Sequence, residues 1–346
     1  MTHVLGRRDP EPSRETAVSG SLGTYRARDG SPGARVRIDL DGPHAGLVVG
    51  KRGYGKSYTL GVLAEEIVRA EGVVPVVADT MGVFSSLADL GANVVARPRV
   101  TADSLAPRAW CDLLGLAPDA ATGALVWQAA AGRSTLDGMR AFVADADTKA
   151  DRATRRSADN HLALAESWGV FAPEGLTASD FAETPAGTVL DLSGLDPAPA
   201  NAVLHAVASG LYDYCVREFP PRLPWLLVDE AHAFFDGIAA SALRTALTRG
   251  RQPGLSLVAA TQRPSALPAV AVSQADLLLA HRLTSRADID ALTEARPTYL
   301  TSFEARLPDA PGDVLLVDDA TESVHAVRVR ERETPHGGDN PSASDR

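Results

Sequence analysis

Short runs of consecutive apolar residues recur along the chain, separated by stretches with helical spacing. Leu47-Val48-Val49, Val73 to Asp79, Gly187 to Ser193, Trp225 to Glu230, Leu255 to Gln262 and Asp276 to Leu283 each predict a strand buried on both faces. Between them, positions repeat every three or four residues. Leu60, Leu63 and Ile67 share one helical face with Glu65, Glu66 and Arg69 opposite, and Val203, Val207, Leu211 and Cys215 follow at intervals of four. Strands alternating with helices require crossover connections, hence an α/β fold with a mostly parallel sheet covered by helices on both sides. From about 100 to 185 the pattern turns Ala-rich and wholly helical, with helices predicted over Ala109–Leu114, Thr122–Ala131, Thr135–Asp145 and Ser157–Trp168. This reads as an insertion into the same domain. Ala34–Asp41 alternates as a half-exposed strand should, while Asp313–Asp319 and Ser323–Arg330 read as a hairpin on the sheet edge. Residues 1–31 and 331–346, rich in Arg, Pro, Gly and Ser, read as a mobile arm and a disordered tail flanking a domain over 32–330.

Composition narrows the compartment. No run approaches a membrane span and the amino-terminal stretch has no apolar signal region, so a cytoplasmic protein with reduced Cys111 and Cys215 is expected. The formal net charge of -10 argues against a surface coated for non-specific nucleic-acid binding, but it leaves room for a local basic channel. One basic segment, Lys149-Ala-Asp-Arg-Ala-Thr-Arg-Arg156, suits either a solvated helix face or contact with a polyanion.

Candidate chemistry concentrates at one strand-to-helix junction. Gly50-Lys51-Arg52-Gly53-Tyr54-Gly55-Lys56-Ser57 follows Leu47–Val49 and fits G-x-x-x-x-G-K-[ST] at every fixed position. Its glycines let the backbone N–H groups converge on phosphate oxygens at the positive end of the following helix, with Tyr58 just inside. Lys56 would reach the outer phosphates, and the Ser57 hydroxyl would hold Mg²⁺. In a parallel sheet the carboxyl ends of the strands form the ligand crevice, and other unusual polar residues fall there. Asp229 ends an apolar strand, where an acid can bind Mg²⁺ through water, and Glu230 is placed to orient and deprotonate an attacking water. Gln262 could hydrogen-bond the γ-phosphate and that water, or cap a turn. Arg249 and Arg251 lie on a loop between strands and suit either exposed surface or charge stabilisation on a transferring phosphoryl group. His232 reads as a satisfied strand-end histidine or a coupling residue, and Asp191 as structural or supporting.

With those residues in place, the chain resembles the HerA and FtsK branch of RecA-like P-loop ATPases, specifically HerA-type DNA translocases and helicases. The resemblance rests on Gly50–Gly61, Leu227–His232 and Gly250–Pro264 and spans roughly Val36 to Arg330. It implies an ASCE-type core with one strand between the phosphate-loop strand and the Asp-Glu strand, and a homohexameric ring. It further implies ATP hydrolysis with Mg²⁺ at subunit interfaces, double-stranded DNA in a central pore, and in some members a nuclease beside the ring. On that basis Lys56, Ser57, Asp229, Glu230 and Gln262 act in cis, with Arg249 or Arg251 acting in trans. The chain departs from the pattern in two places. About forty-five residues precede the phosphate loop where members carry a β-barrel, and Asp79-Thr-Met-Gly-Val83-Phe84 lacks the carboxylate usual after the second strand. A competing expectation is an ATP-gated switch or scaffold with little turnover.

Overall fold

The computed structural model describes residues 3–7, 18–27, 29–294 and 303–337. In chain order the strands are β1 (His3–Leu5), β2 (Ser19–Arg26), β3 (Pro32–Asp39), β4 (Ala45–Val49), β5 (Val73–Asp79), β6 (Asn93–Val95), β7 (Thr188–Asp191), β8 (Leu223–Val228), β9 (Ser256–Thr261), β10 (Leu277–Ala280), β11 (Asp313–Asp318) and β12 (Ser323–Val329). Among the described residues they form one twelve-stranded sheet, ordered β1-β3-β2-β12-β11-β10-β4-β9-β8-β5-β7-β6. From β10 to β6 every pairing is parallel. Each parallel strand demands a crossover, and the intervening helices supply it on both faces.

The first helix, α1 (Lys56–Arg69), starts at the phosphate loop and buries Leu60, Leu63 and Ile67 against the sheet. Glu65, expected on its solvent face, is fully buried. The predicted insertion is present as α2 (Pro107–Leu113), α3 (Ala121–Gly132), α4 (Leu136–Ala144), α5 (Arg152–Ser167) and α6 (Ala178–Glu183), all between β6 and β7. Its buried Trp110, Met139 and Leu162 belong to the same apolar cluster as Leu47 and Val49 of β4, so the insertion shares the main core. Next come α7 (Pro197–Glu218), α8 (His232–Phe235) and α9 (Ala239–Arg249). Cys111 and Cys215 are free and buried. No helix among the described residues is long and apolar enough to cross a membrane.

The flank beyond β10 departs from expectation in three ways. First, the stretch read as a mobile arm contributes β1 and β2, and β2 lies between β3 and β12. Ser19–Arg26 is poor in apolar residues and gives little strand signal. It is held by antiparallel backbone pairing and by the fully buried Leu22. Gly23 makes the close approach possible, since a Cβ there would sit 1.9 Å from the Arg328 carbonyl oxygen. Second, the β11–β12 hairpin is interior to the sheet, because β2 covers the side it was expected to leave open. Third, residues 331–337 pack against α1, while 338–346 lie outside the described residues. The Glu65 carboxylate accepts the backbone N–H groups of Glu333 and Thr334 and the Thr334 hydroxyl, and pairs with Arg330 at 2.8 Å. The buried Arg332 guanidinium donates to the Val83 carbonyl and the Ser86 and Thr334 hydroxyls, above the Phe84 ring. Charged groups this deep require such partners, and the partners are far away in sequence.

Candidate functional site

The phosphate loop turns on three glycines at positive φ, Gly50, Gly53 and Gly55, with φ of 156°, 81° and 105°. Flanking strand ends hold it in place. Gly50 N–H donates to the Thr261 carbonyl at the end of β9, and Lys51 N–H donates to the Arg282 carbonyl just past β10. Fully buried His281 packs behind the loop and bonds the Thr59 hydroxyl at 3.0 Å through Nε2. A Cβ on Gly50 would lie 2.5 Å from the His281 Cβ, so this glycine answers to close approach as well as conformation. Burial, with the nearby Lys56 ammonium, pushes the His281 pKa down to about 3 and keeps the ring neutral. His281 lay in a predicted strand without further signal, and its role became visible only through this packing.

Lys56 is buried at the helix start, its Nζ 3.4 Å from the Lys51 carbonyl. Burial lowers its pKa, while Glu230 and Asp229 act in the opposite sense. The Ser57 hydroxyl donates to Asp229 Oδ2 at 2.9 Å, bringing together the two expected Mg²⁺ contacts. Asp229 is fully buried, and burial pushes its pKa up to about 6. A buried carboxylate beside a hydroxyl forms a hard-oxygen pair that suits a small divalent cation. Glu230 adds a further acid at the same edge. Its Oε2 is buried without a hydrogen bond, 3.3 Å from His232 Nδ1, and the same ring nitrogen lies 3.3 Å from the Thr261 hydroxyl. Glu230 has a φ of 46°, a left-handed backbone that costs a non-glycine residue about 1–2 kcal/mol. Such strain at a strand end re-aims the side chain, here into the cleft that Lys56 also lines.

The strand separating β4 from β8 is β9, which ends at Thr261-Gln262. Gln262 therefore follows directly on the residue paired with Val49 and is placed between the phosphate loop and the acidic pair. Asp191 ends β7, outside β5, where its Oδ1 accepts the Ser193 N–H and hydroxyl in a local turn. Asp79 accepts four backbone N–H groups, from Met81 to Phe84, and so rigidifies the loop in which a carboxylate was missing.

Arg249 and Arg251 are not in this cleft. They connect α9 to the start of β9, at the amino ends of the parallel strands. Arg251 pairs with Asp276 at 3.3 Å, and Asp276 also holds His44 Nδ1 at 3.1 Å. Arg249 is exposed. Within one subunit neither guanidinium reaches the phosphate loop. Of the basic segment at 149–156, Lys149 and Ala150 precede α5, Asp151 caps it, and its first turns expose Arg152 and Arg156 while Arg155 is half-buried.

The cleft above the loop is a cavity of about 960 Å³ walled further by β2, β3, β12, the 331–337 segment, Met81 and Val83 after β5, and Pro311-Gly312 before β11. None of these walls was legible as part of the site.

No protein-family model and no curated protein matches the sequence. Solved structures do. The chain superposes on VirB4 of Thermoanaerobacter pseudethanolicus with a TM-score of 0.69 at 16% identity, covering 92% of this chain and 98% of that one. It also superposes on the plasmid coupling protein TrwB, solved with ADP and Mg²⁺, with a TM-score of 0.59 at 16% identity, covering 94% and 92%. A complex of TrwB with the non-hydrolysable analogue GDPNP aligns at 18% identity with the same TM-score. The sheet order, the phosphate loop between β4 and α1, and these likenesses establish the fold as that of the RecA-like P-loop ATPases.

Proposed function

We propose that this chain is a Mg²⁺-dependent ATPase that drives DNA movement, of the HerA class, working as a homohexameric ring on double-stranded DNA. The observation that carries the proposal is the convergence of Lys56, the Ser57–Asp229 pair and Glu230 on one cleft at the carboxyl ends of the strands. Backbone N–H groups of the loop and the Lys56 ammonium grip the β- and γ-phosphates, supplying positive charge where the transition state gathers negative charge. Ser57 and Asp229 would hold Mg²⁺, which would neutralise phosphate charge. Glu230 accepts a proton from the attacking water, with His232 Nδ1 3.3 Å from its carboxylate and itself 3.3 Å from the Thr261 hydroxyl. Gln262 contacts the same water or the γ-phosphate. Arg249 is better suited than Arg251 to reach a neighbouring subunit's γ-phosphate, because Arg251 is occupied by Asp276.

DNA as the substrate draws on the motif resemblance and on the likeness to a plasmid coupling protein. Phosphate release with and without duplex DNA across a salt series tests it. DNA stimulation that disappears in Lys56→Ala supports the motor. A rate indifferent to DNA removes that support. ATP-dependent assembly with negligible phosphate release would instead select the switch or scaffold.

A further inference from the structure

The cleft extends well past the space a polyphosphate needs, and its far wall follows a register. β3, β2 and β12 are adjacent, pairing Arg35 with Thr24 and Thr24 with Arg328, while Arg328 pairs with Asp313 on β11. Directly opposed residues project to the same face of a sheet. One row of side chains therefore crosses four strands, and Arg35, Thr24 and Arg328 all line the cleft with Gly312 and Arg52.

The inner end of this row is fixed. Arg328 Nη1 donates to the Pro311 carbonyl at 2.7 Å and pairs with Asp313 at 3.0 Å, while Gly312 N–H donates to the Tyr54 carbonyl, so the hairpin abuts the phosphate loop. The outer end is not tied to any described residue. Arg35 is exposed, and no described residue gives its guanidinium a hydrogen bond or ion pair.

Sheet order sets which way a nucleotide must run. Asp229 and Glu230 follow β8, two strands from β4 on one side, so the terminal phosphate points there. The rest of the molecule then leaves across the other neighbours of β4, towards β10, β11 and β12. Carried by that end of the polyphosphate is a nucleoside: a planar base on a hydroxyl-bearing sugar. We infer that the row Arg35–Thr24–Arg328 is the nucleoside subsite, with the Arg35 guanidinium stacked on the base and the Thr24 hydroxyl facing the ribose. The subsite rests on the assignment of the phosphate loop to a nucleotide made above. A guanidinium plane stacks on any nucleobase, and ammonium cannot replace it in that geometry.

The test is calorimetric titration of the full chain with ADP, GDP and pyrophosphate, none of which Glu230 can consume by γ-phosphate hydrolysis. Arg35→Ala is expected to weaken ADP and GDP by about five-fold, the range of a partly exposed cation–π contact, with pyrophosphate unchanged. Arg35→Lys should behave like Arg35→Ala. The subsite is overturned if pyrophosphate weakens in parallel, if Arg35→Lys restores nucleotide affinity, or if neither nucleotide responds. In each of those cases wild-type pyrophosphate binding would leave the phosphate loop standing. Failure of the wild-type chain to bind any of the three would remove both.

Discussion

The parallel half of the sheet and its antiparallel flank are held together in different ways. From β10 to β7 the strands are dominated by Leu, Val and Ala buried on both faces, and cohesion comes from apolar surface removed from water. From β11 to β1, and in the segment over α1, buried apolar residues such as Leu22, Ile38 and Leu316 are joined by pairing between distant parts of the chain and by charges sequestered with their counterparts, such as Glu65 with Arg330 and Arg332. The cleft lies where the two halves meet. Lys56, Ser57 and Glu230 come from the first half and most of its enclosing walls from the second.

Substitutions can separate these contributions. The largest effect is expected on chemistry alone. Glu230→Gln should lower steady-state phosphate release by about 10²–10⁴-fold, the usual worth of a positioned proton acceptor, while the melting temperature does not fall. A fall in melting temperature would show that the acid edge serves stability and would blur the division. Arg332→Ala should act in reverse, costing about 3 kcal/mol in denaturant unfolding by leaving the Val83 carbonyl and the Ser86 and Thr334 hydroxyls without their donor, while Glu65 keeps Arg330. A loss below about 1 kcal/mol would mean that the flank is not held by its sequestered charges.

His44 offers a third probe, at the seam between halves. Burial alone would lower its pKa, but its bonds to Asp276 and Asp39 raise it to about 9 from an ordinary 6.5. A raised value means that the folded chain binds the proton more tightly. The stabilisation is therefore complete below about pH 6.5 and lost as pH rises through about 9. Unfolding free energy should fall by about 3 kcal/mol across that window, and His44→Gln should flatten the dependence. The smallest effect belongs to the exposed pair of Arg69 with Glu333, where Arg69→Ala should cost under about 1 kcal/mol and vanish in high salt. A larger, salt-insensitive loss there would indicate that the strap is held as firmly at its surface as at its core.

The same contrast decides what was legible in advance. Apolar runs announced β4, β5 and β7 to β10, and the glycine spacing announced the phosphate loop, because each is a local property. Lys56, Ser57, Asp229 and Glu230 could be read for the same reason: each occupies a fixed place relative to a strand end. Ser19–Arg26 could not, since its pairing with β12 depends on residues three hundred positions away. Glu65 looked like a solvent-facing acid because its partners, Arg330, Glu333 and Thr334, belong to a segment whose composition reads as tail. His281 carried no sign beyond membership of a strand. Arg251 lies on the expected loop and Arg249 closes α9 just before it, but which edge of the sheet they serve is set by topology.

The strap over α1 also gives the molecule a handle. Residues 331–337 bond Glu65 on the helix that begins with Lys56 and Ser57, and Val83 and Ser86 in the stretch after β5. Tension applied to that segment would be transmitted to the back of α1 and to the loop after β5 before it strained the rest of the sheet.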